Sequence, residues 1–407
     1  MTFTNPLRTI ALAMLCIFVL SIPTEDAVAL AGGSLTKLIG IGAFGVGVVA
    51  LFRRDKLAFK PPSLFLILTT LFMAWGFVTY YWSLEPDRAI SRSMTFAQLL
   101  VMCWMVWEFG RTERDRAALM QAYLLGAYIT LYIALNAFFT NEVGFRQVGA
   151  DINANDFAVV LAFGIPMAWR LTFFFKNRLL YWLNLLYLPL AISGIVVVAS
   201  RGGFISALVA LMIIPLTFNK LGLLRKLGLV ALLCLGTWFI FFYAPQVFPN
   251  LQASTERLSE TSSELTSGTL TGRRVIWAAG FEVFAQYPFF GVGQGGFEQA
   301  VVPFYGSPVS SHNAYLSVLV QTGLVGLVLF LLVILSVLIP ALVGRFSQRS
   351  FVIILLLTLL ISVFSLNADY YKFTWFILSL LACEVPIFAL DPRLEADRGT
   401  LRLNRTA

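Results

Sequence analysis

Residues 310–341 read Ser310-Ser311-His312-Asn313 and then AYLSVLVQTGLVGLVLFLLVILSVLIPA, with no charged side chain from Ala314 to Ala341. An apolar run of this length crosses a hydrocarbon core about 30 Å thick, for which about 20 helical residues suffice. Inside lipid the backbone has no water to bond to, so the run must be helical. Similar runs recur along the chain. Of its 407 residues 59% are hydrophobic and 12% charged, with a mean hydropathy of +0.83. Period-2 alternation, the mark of a membrane barrel, is absent. The composition excludes a soluble globular protein and predicts an all-α, polytopic membrane protein.

The runs place spans at 8–23, 34–52, 61–82, 93–109, 117–140, 154–170, 179–199, 203–218, 227–243, 314–341, 351–367 and 373–390, about twelve transmembrane helices. Charge tests this list. One alternating set of loops holds Arg53, Arg54, Lys56 and Lys60, then Arg111, Arg114 and Arg116, then Arg170, Lys176 and Arg178. It continues with Lys220, Arg225 and Lys226, Arg345 and Arg349, and Arg393, Arg398, Arg402 and Arg405; with Arg8 it has 20 basic residues. The opposite set has nine: Lys37, Arg88, Arg92, Arg146, Arg201, Arg257, Arg273, Arg274 and Lys372. The positive-inside rule then puts both termini in the cytoplasm. The net charge of +8 therefore speaks of orientation, and no nucleic-acid partner is implied.

The expected organisation is helices 1–9 over residues 1–243, an outer loop domain over 244–313, helices 10–12 over 314–390 and a cytoplasmic tail over 391–407. Arg8, a short apolar stretch and Ala27-Val28-Ala29 mimic a signal peptide, but the spans that follow directly favour an uncleaved first helix. Cys16, Cys103, Cys234 and Cys383 fall in apolar runs without paired spacing and read as small core residues. Gly40, Gly42, Gly45, Gly47, Gly323 and Gly326 read as sites of close helix approach.

The connection from Ala244 to Ser311 is long for a compact protein, and such loops commonly carry function. Its first part bears Glu256, Glu260 and Glu264 at helical spacing, a solvated face. Its second part, Thr271-Gly272-Arg273-Arg274-Val275-Ile276-Trp277 onward, reads as an amphipathic helix with two arginines in its first turn. Cations are unfavourable at that end of a helix dipole unless an anion sits there too. The pair can otherwise lie against lipid headgroups. Gly291-Val292-Gly293-Gln294-Gly295-Gly296 matches GxGxxG as a string, but no βαβ context surrounds it; we read it as a flexible turn. No Walker A motif occurs.

His312, the only histidine, ends this polar stretch where the chain re-enters the membrane. Imidazole exchanges protons near neutral pH, so His312 is either a reactive group or a neighbour of a helix cap made by Asn313 and Ser311. Ser200-Arg201-Gly202-Gly203 lies between two spans with almost no loop, where an arginine is paired, functional or snorkelling to the interface. Asn153-Ala154-Asn155-Asp156 opens a span as a possible cap, and Asp369 with Tyr370, Tyr371 and Lys372 joins the last two spans. Arg201, Arg273, Arg274 and His312 share one face. Guanidinium groups suit phosphate oxygens, which suggests a phosphorylated lipid substrate. No carboxylate cage or His/Cys set for a metal stands out.

Together these segments resemble the O-antigen ligase family of bacterial membrane proteins, which includes O-antigen and exopolysaccharide polymerases. The match runs through Thr271-Gly272-Arg273, Ile276-Trp277, Tyr287-Pro288-Phe289-Phe290-Gly291-Val292-Gly293, His312-Asn313-Ala314-Tyr315-Leu316 and Thr322-Gly323-Leu324-Val325-Gly326. Ser200-Arg201-Gly202-Gly203 and Asn153-Ala154-Asn155-Asp156 precede them in the expected order. The resemblance implies a large periplasmic loop and a glycosyltransferase that moves a glycan from undecaprenyl pyrophosphate to an acceptor hydroxyl, without cofactor or metal. It implies that Arg201 and Arg273 hold the pyrophosphate and that His312 serves the acceptor or diphosphate. Arg274, Asn313 and Asp369 are the expected substrate-binding neighbours. A ligase would use the lipid A-core as acceptor and a polymerase another lipid-linked repeat; the ligase label is the leading one. The competing class is a transporter or lipid-linked glycan flippase, which predicts charges near the bilayer midplane and broken helices.

Overall fold

The computed structural model describes residues 6–25, 29–30, 33–52, 60–139, 154–217, 222–247 and 272–385. These are helical almost throughout. The exception is a two-residue antiparallel pairing of Ala29–Leu30 with Gly33–Ser34, between the first two helices. Glu256, Glu260, Glu264, Asn153, Ala27-Val28 and the tail from Asp391 lie outside the described residues.

The helices are α1 (Pro6–Ser21), α2 (Leu35–Phe52), α3 (Leu64–Val78), α4 (Pro86–Phe109), α5 (Glu113–Phe139), α6 (Ala154–Phe174), α7 (Arg178–Val197), α8 (Arg201–Leu211), α9 (Ile213–Thr217) and α10 (Leu223–Val247). Beyond residues 248–271 come α11 (Arg273–Gln286), α12 (Phe297–Ala300), α13 (Val302–Tyr305), α14 (Ala314–Val343), α15 (Arg349–Val363) and α16 (Lys372–Glu384). Each expected span falls on one of these helices, the eighth on α8 and α9 together. Among the described residues, five helices are long and apolar enough to cross a membrane: Leu64–Trp82, Pro86–Phe109, Ala154–Phe174, Arg178–Val197 and Ala314–Val343. The chain is a helical membrane protein.

Helix α4 begins before the expected span at 93. Pro86 opens it with a φ already suited to a helix, and Asp87 complements the positive end of the dipole. Arg88 and Arg92 therefore stand on a rigid helix rather than in a loop. Helix α6 is the hub. It packs on α5, α7, α8 and α15, and nearly every side chain from Asp156 to Trp169 is buried. A Cβ on Gly203 would lie 2.2 Å from the Ala158 Cβ, so only glycine lets α8 sit this close to α6.

The glycine-rich segment is not a flexible turn. Its backbone is fastened on two sides. Val292 N donates to Val320 O at 3.0 Å and Gly293 N to Gln321 O at 2.9 Å. Gln294 N donates to Thr79 Oγ1 at 3.1 Å, and Leu84 N to Val292 O at 3.1 Å. Gly293 has φ +87°, and a Cβ there would lie 2.2 Å from Ser83 Cα. The segment wedges into a break in α14, where Gly323 takes φ 68°, ψ −168°. A Cβ on Gly323 would meet Phe289 O at 2.1 Å. Gly323 thus admits a loop rather than a neighbouring helix.

Candidate functional site

Three helix starts carry the expected functional residues. Arg201 is the first residue of α8, Arg273 the first of α11, and His312 lies two residues before α14. Each start is built by a left-handed residue: Ala199 (φ 51°) before the Ser200 cap, Gly272 (φ 77°) before Arg273, and His312 itself (φ 47°) before the Asn313 cap. Non-glycine residues adopt this region at a cost of about 1–2 kcal/mol, so Ala199 and His312 are held there by their surroundings.

Those surroundings are explicit for His312. Asn313 Oδ1 accepts from Tyr315 N at 3.0 Å and Leu316 N at 3.1 Å, the capping role. Ser311 Oγ donates to Asn367 Oδ1 at 2.5 Å, and Asn313 N donates to the same oxygen at 3.1 Å. Asn367 Nδ2 donates to Ser310 Oγ. Trp277 Nε1 of α11 donates to Ser311 O at 2.9 Å. One amide, Asn367, therefore braces both sides of His312, and α11 is tied to the same loop.

The α8 start joins through the chain beyond α15. The Trp277 ring meets Phe364 edge-on at 5.3 Å between centroids. The next residue, Ser365, is so close to Gly202 that a Cβ there would lie 2.5 Å from Ser365 Oγ. Ser200 Oγ donates to Asn155 Oδ1 at 2.8 Å, which ties the start of α6 into the support.

Two pairwise electrostatic links connect these groups: Arg201 acts on Arg273, and Arg273 acts on His312. Burial and then the charge of Arg201 push the Arg273 pKa down. Burial, then Arg273, push the His312 pKa down, with Glu298 pulling weakly upward. Two arginines that begin helices, coupled in turn to each other and to His312, favour positive potential at these helix starts. Such a place favours an anion, and the arginine forks match phosphate oxygens. Burial and Arg273 both favour the neutral form of the His312 imidazole, the form that can accept a proton.

The remaining expected residues are placed differently. Arg274 is exposed on α11. Asp369 is buried in a 3-10 turn over Ala368–Tyr370; burial pushes its pKa up to about 7 against the pull of Arg92. The Arg92 guanidinium lies over the Tyr370 ring, 3.0 Å from its centroid. Among the described residues, no group of three His, Cys, Asp or Glu side chains could hold a metal ion.

Sequence reading did not single out Asn367 or Glu298. Asn367 is a lone amide in a short turn, and only its contact with a loop more than 50 residues away gives it a role. Glu298 follows the glycine-rich segment directly, the one local hint that this loop presents a charge.

Residues 186–331 match a family model described as O-antigen ligase. The matched span contains Arg201, Arg273 and His312, and ends within α14. No curated protein matches the chain. The match falls on the same family that the motifs resemble.

Proposed function

We propose that the protein is a membrane glycosyltransferase of O-antigen ligase type. It moves a glycan from undecaprenyl pyrophosphate to a hydroxyl of the lipid A-core at the periplasmic face of the bacterial inner membrane. What supports this reading is that Arg201, Arg273 and His312 stand at three helix starts inside the matched span, with Arg201 acting electrostatically on Arg273 and Arg273 on His312.

In this reading, the acceptor oxygen forms a bond to the anomeric carbon of the glycan while the bond from that carbon to the pyrophosphate oxygen breaks. Undecaprenyl pyrophosphate leaves with the electron pair, and the negative charge that grows on its oxygens is met by Arg201 and Arg273. Fixed cations aimed at developing charge lower the barrier without reorganising during the reaction. The hydroxyl proton goes to the neutral imidazole of His312. The lowered pKa of His312 keeps it ready to accept that proton. No nucleotide or metal enters these steps.

In the same reading the chain crosses the membrane about twelve times with both termini cytoplasmic, and residues 244–313 form the periplasmic loop domain. The break in α14 is of the kind a transporter would use, but backbone atoms of Phe289 and Phe290 occupy it. That favours the enzyme over solute passage.

The test is reconstitution of the purified protein in proteoliposomes with lipid-linked glycan and either the lipid A-core or a second lipid-linked repeat. The reading predicts glycan on the lipid A-core, with Arg273→Ala and His312→Asn each lowering the rate by about 100-fold or more. His312→Asn is the informative exchange because asparagine tolerates the left-handed backbone but accepts no proton at neutral pH. Chain extension of the lipid-linked repeat would assign a polymerase. Unchanged turnover in both variants would refute this assignment of the site.

A further inference from the structure

A second polar cavity adjoins this site. It has a volume of about 420 Å³, within the range of small-molecule sites. Its walls include Arg88, Ser91 and Arg92 of α4, Glu298 of α12, Ser317 of α14 and Asn367. Arg201, Arg273 and His312 form no part of these walls. Two features link the cavity to them. Asn367, which lines it, braces the Ser310–Asn313 loop, and Glu298, which also lines it, is close enough to His312 for its charge to be felt there.

The balance of charge in the cavity differs from that of the arginine cluster. Arg88 Nη1 is paired with Glu298 Oε2 at 2.7 Å. Arg92 lies over the Tyr370 ring, and its charge is felt at Asp369. A phosphate entering here would meet the Glu298 carboxylate, and an apolar tail would leave hydroxyls and guanidinium groups dry. Saccharide hydroxyls both donate and accept, and suit a wall that mixes arginine, carboxylate, amide and serine groups.

Resting on the glycosyltransferase reading above, we infer that the cavity between α4, α12, α14 and the Asn367 turn binds the acceptor saccharide and presents its hydroxyl to His312. The leaving group at the arginine cluster and the acceptor in the cavity then meet at the Ser310–Asn313 loop. The shared chemistry is a sugar rich in hydroxyls; the lipid A-core and a lipid-linked repeat both offer it.

Ser91 is exposed on the cavity wall, which makes it a place to fill the cavity without disturbing the fold. In reconstituted full-length protein, Ser91→Trp is expected to raise the acceptor KM about tenfold or more, with kcat and the donor KM nearly unchanged, as loss of uniform binding requires. The measurement is run with lipid A-core and with a lipid-linked repeat as acceptors, and the arm that forms product names the source. In a second variant, Ser91→Cys, treatment with a bulky maleimide is expected to raise the acceptor KM above that of the same variant before treatment. Saturating acceptor should protect that cysteine, and donor alone should not. An unchanged acceptor KM in both variants, or a rise in donor KM instead, would overturn the proposal. Arg273→Ala is assayed beside them. Full activity in that variant would refute the assignment of the arginine cluster, whereas its inactivity with an unaltered Ser91→Trp acceptor KM would refute the acceptor cavity alone.

Discussion

His312 holds its place by local bonds and its chemistry by its neighbours. Its backbone is left-handed, and the bonds from Ser311 and Asn313 to Asn367 keep the loop in that shape. Burial and Arg273 favour the neutral imidazole, so its pKa lies below the usual value near 6.5. If His312 is the base, activity is full above that pKa and is lost as the pH falls through it. Glu298 opposes the shift by favouring the protonated ring. Glu298→Gln should therefore lower the His312 pKa further and move the acid limb of the rate profile to lower pH. The check is kcat/KM for the donor measured between about pH 5 and 8. A limb that moves to higher pH would show that another group controls the titration.

At the scale of elements, the site depends on short backbone contacts. The glycine-rich segment fixes the broken helix α14, and through it the loop bearing His312. Gly293 and Gly306 both have positive φ, but a Cβ on Gly293 would lie 2.2 Å from Ser83 Cα, whereas Gly306 has open space around it. Gly306→Ala should cost only the backbone strain, about 1–2 kcal/mol. Gly293→Ala should cost more, and its thermal midpoint in detergent should fall clearly below that of Gly306→Ala. Equal midpoints would mean that the segment is free to move away from α3 and α4.

This is also where sequence reading reached its limit. Apolar runs marked the helices because burial in lipid needs nothing beyond composition and length. Arg201, Arg273 and His312 could be singled out because each stands in a distinctive local string. The start of α4 at Pro86 was obscured by Asp87, Arg88 and Arg92, which read as loop charges. The rigidity of the glycine segment and the bracing by Asn367 come from contacts between distant parts of the chain, which no local pattern encodes.

Among the described residues, the ion pairs can be sorted into two groups by the loops that supply their basic partners. In one, Arg116 and Arg170 meet Glu384 at 2.8 and 2.6 Å, and Arg8 meets Asp115 at 2.6 Å. In the other, Arg88 pairs with Glu298 and Lys372 with Glu25, and this set also holds Arg201 and Arg273. The first draws its basic residues from the richer set of loops, the second from the poorer set. The proposed topology puts the second group in the periplasm. A cysteine introduced at exposed Ser307 should then react with a membrane-impermeant maleimide in cells with a permeabilised outer membrane, and one at exposed Ser347 only after the inner membrane is opened. The reverse pattern would invert the molecule and place the site in the cytoplasm.

The central claim is that Arg201 and Arg273 grip a single diphosphate. It is tested most directly by a double-mutant cycle on the affinity of the protein, held in nanodiscs, for undecaprenyl pyrophosphate. Groups that share one ligand couple by about 0.5–3 kcal/mol. Arg201→Gln and Arg273→Gln should each weaken binding, and the double variant should depart from the sum of the two by at least that lower amount. Strict additivity, or an affinity that neither substitution changes, would contradict the account.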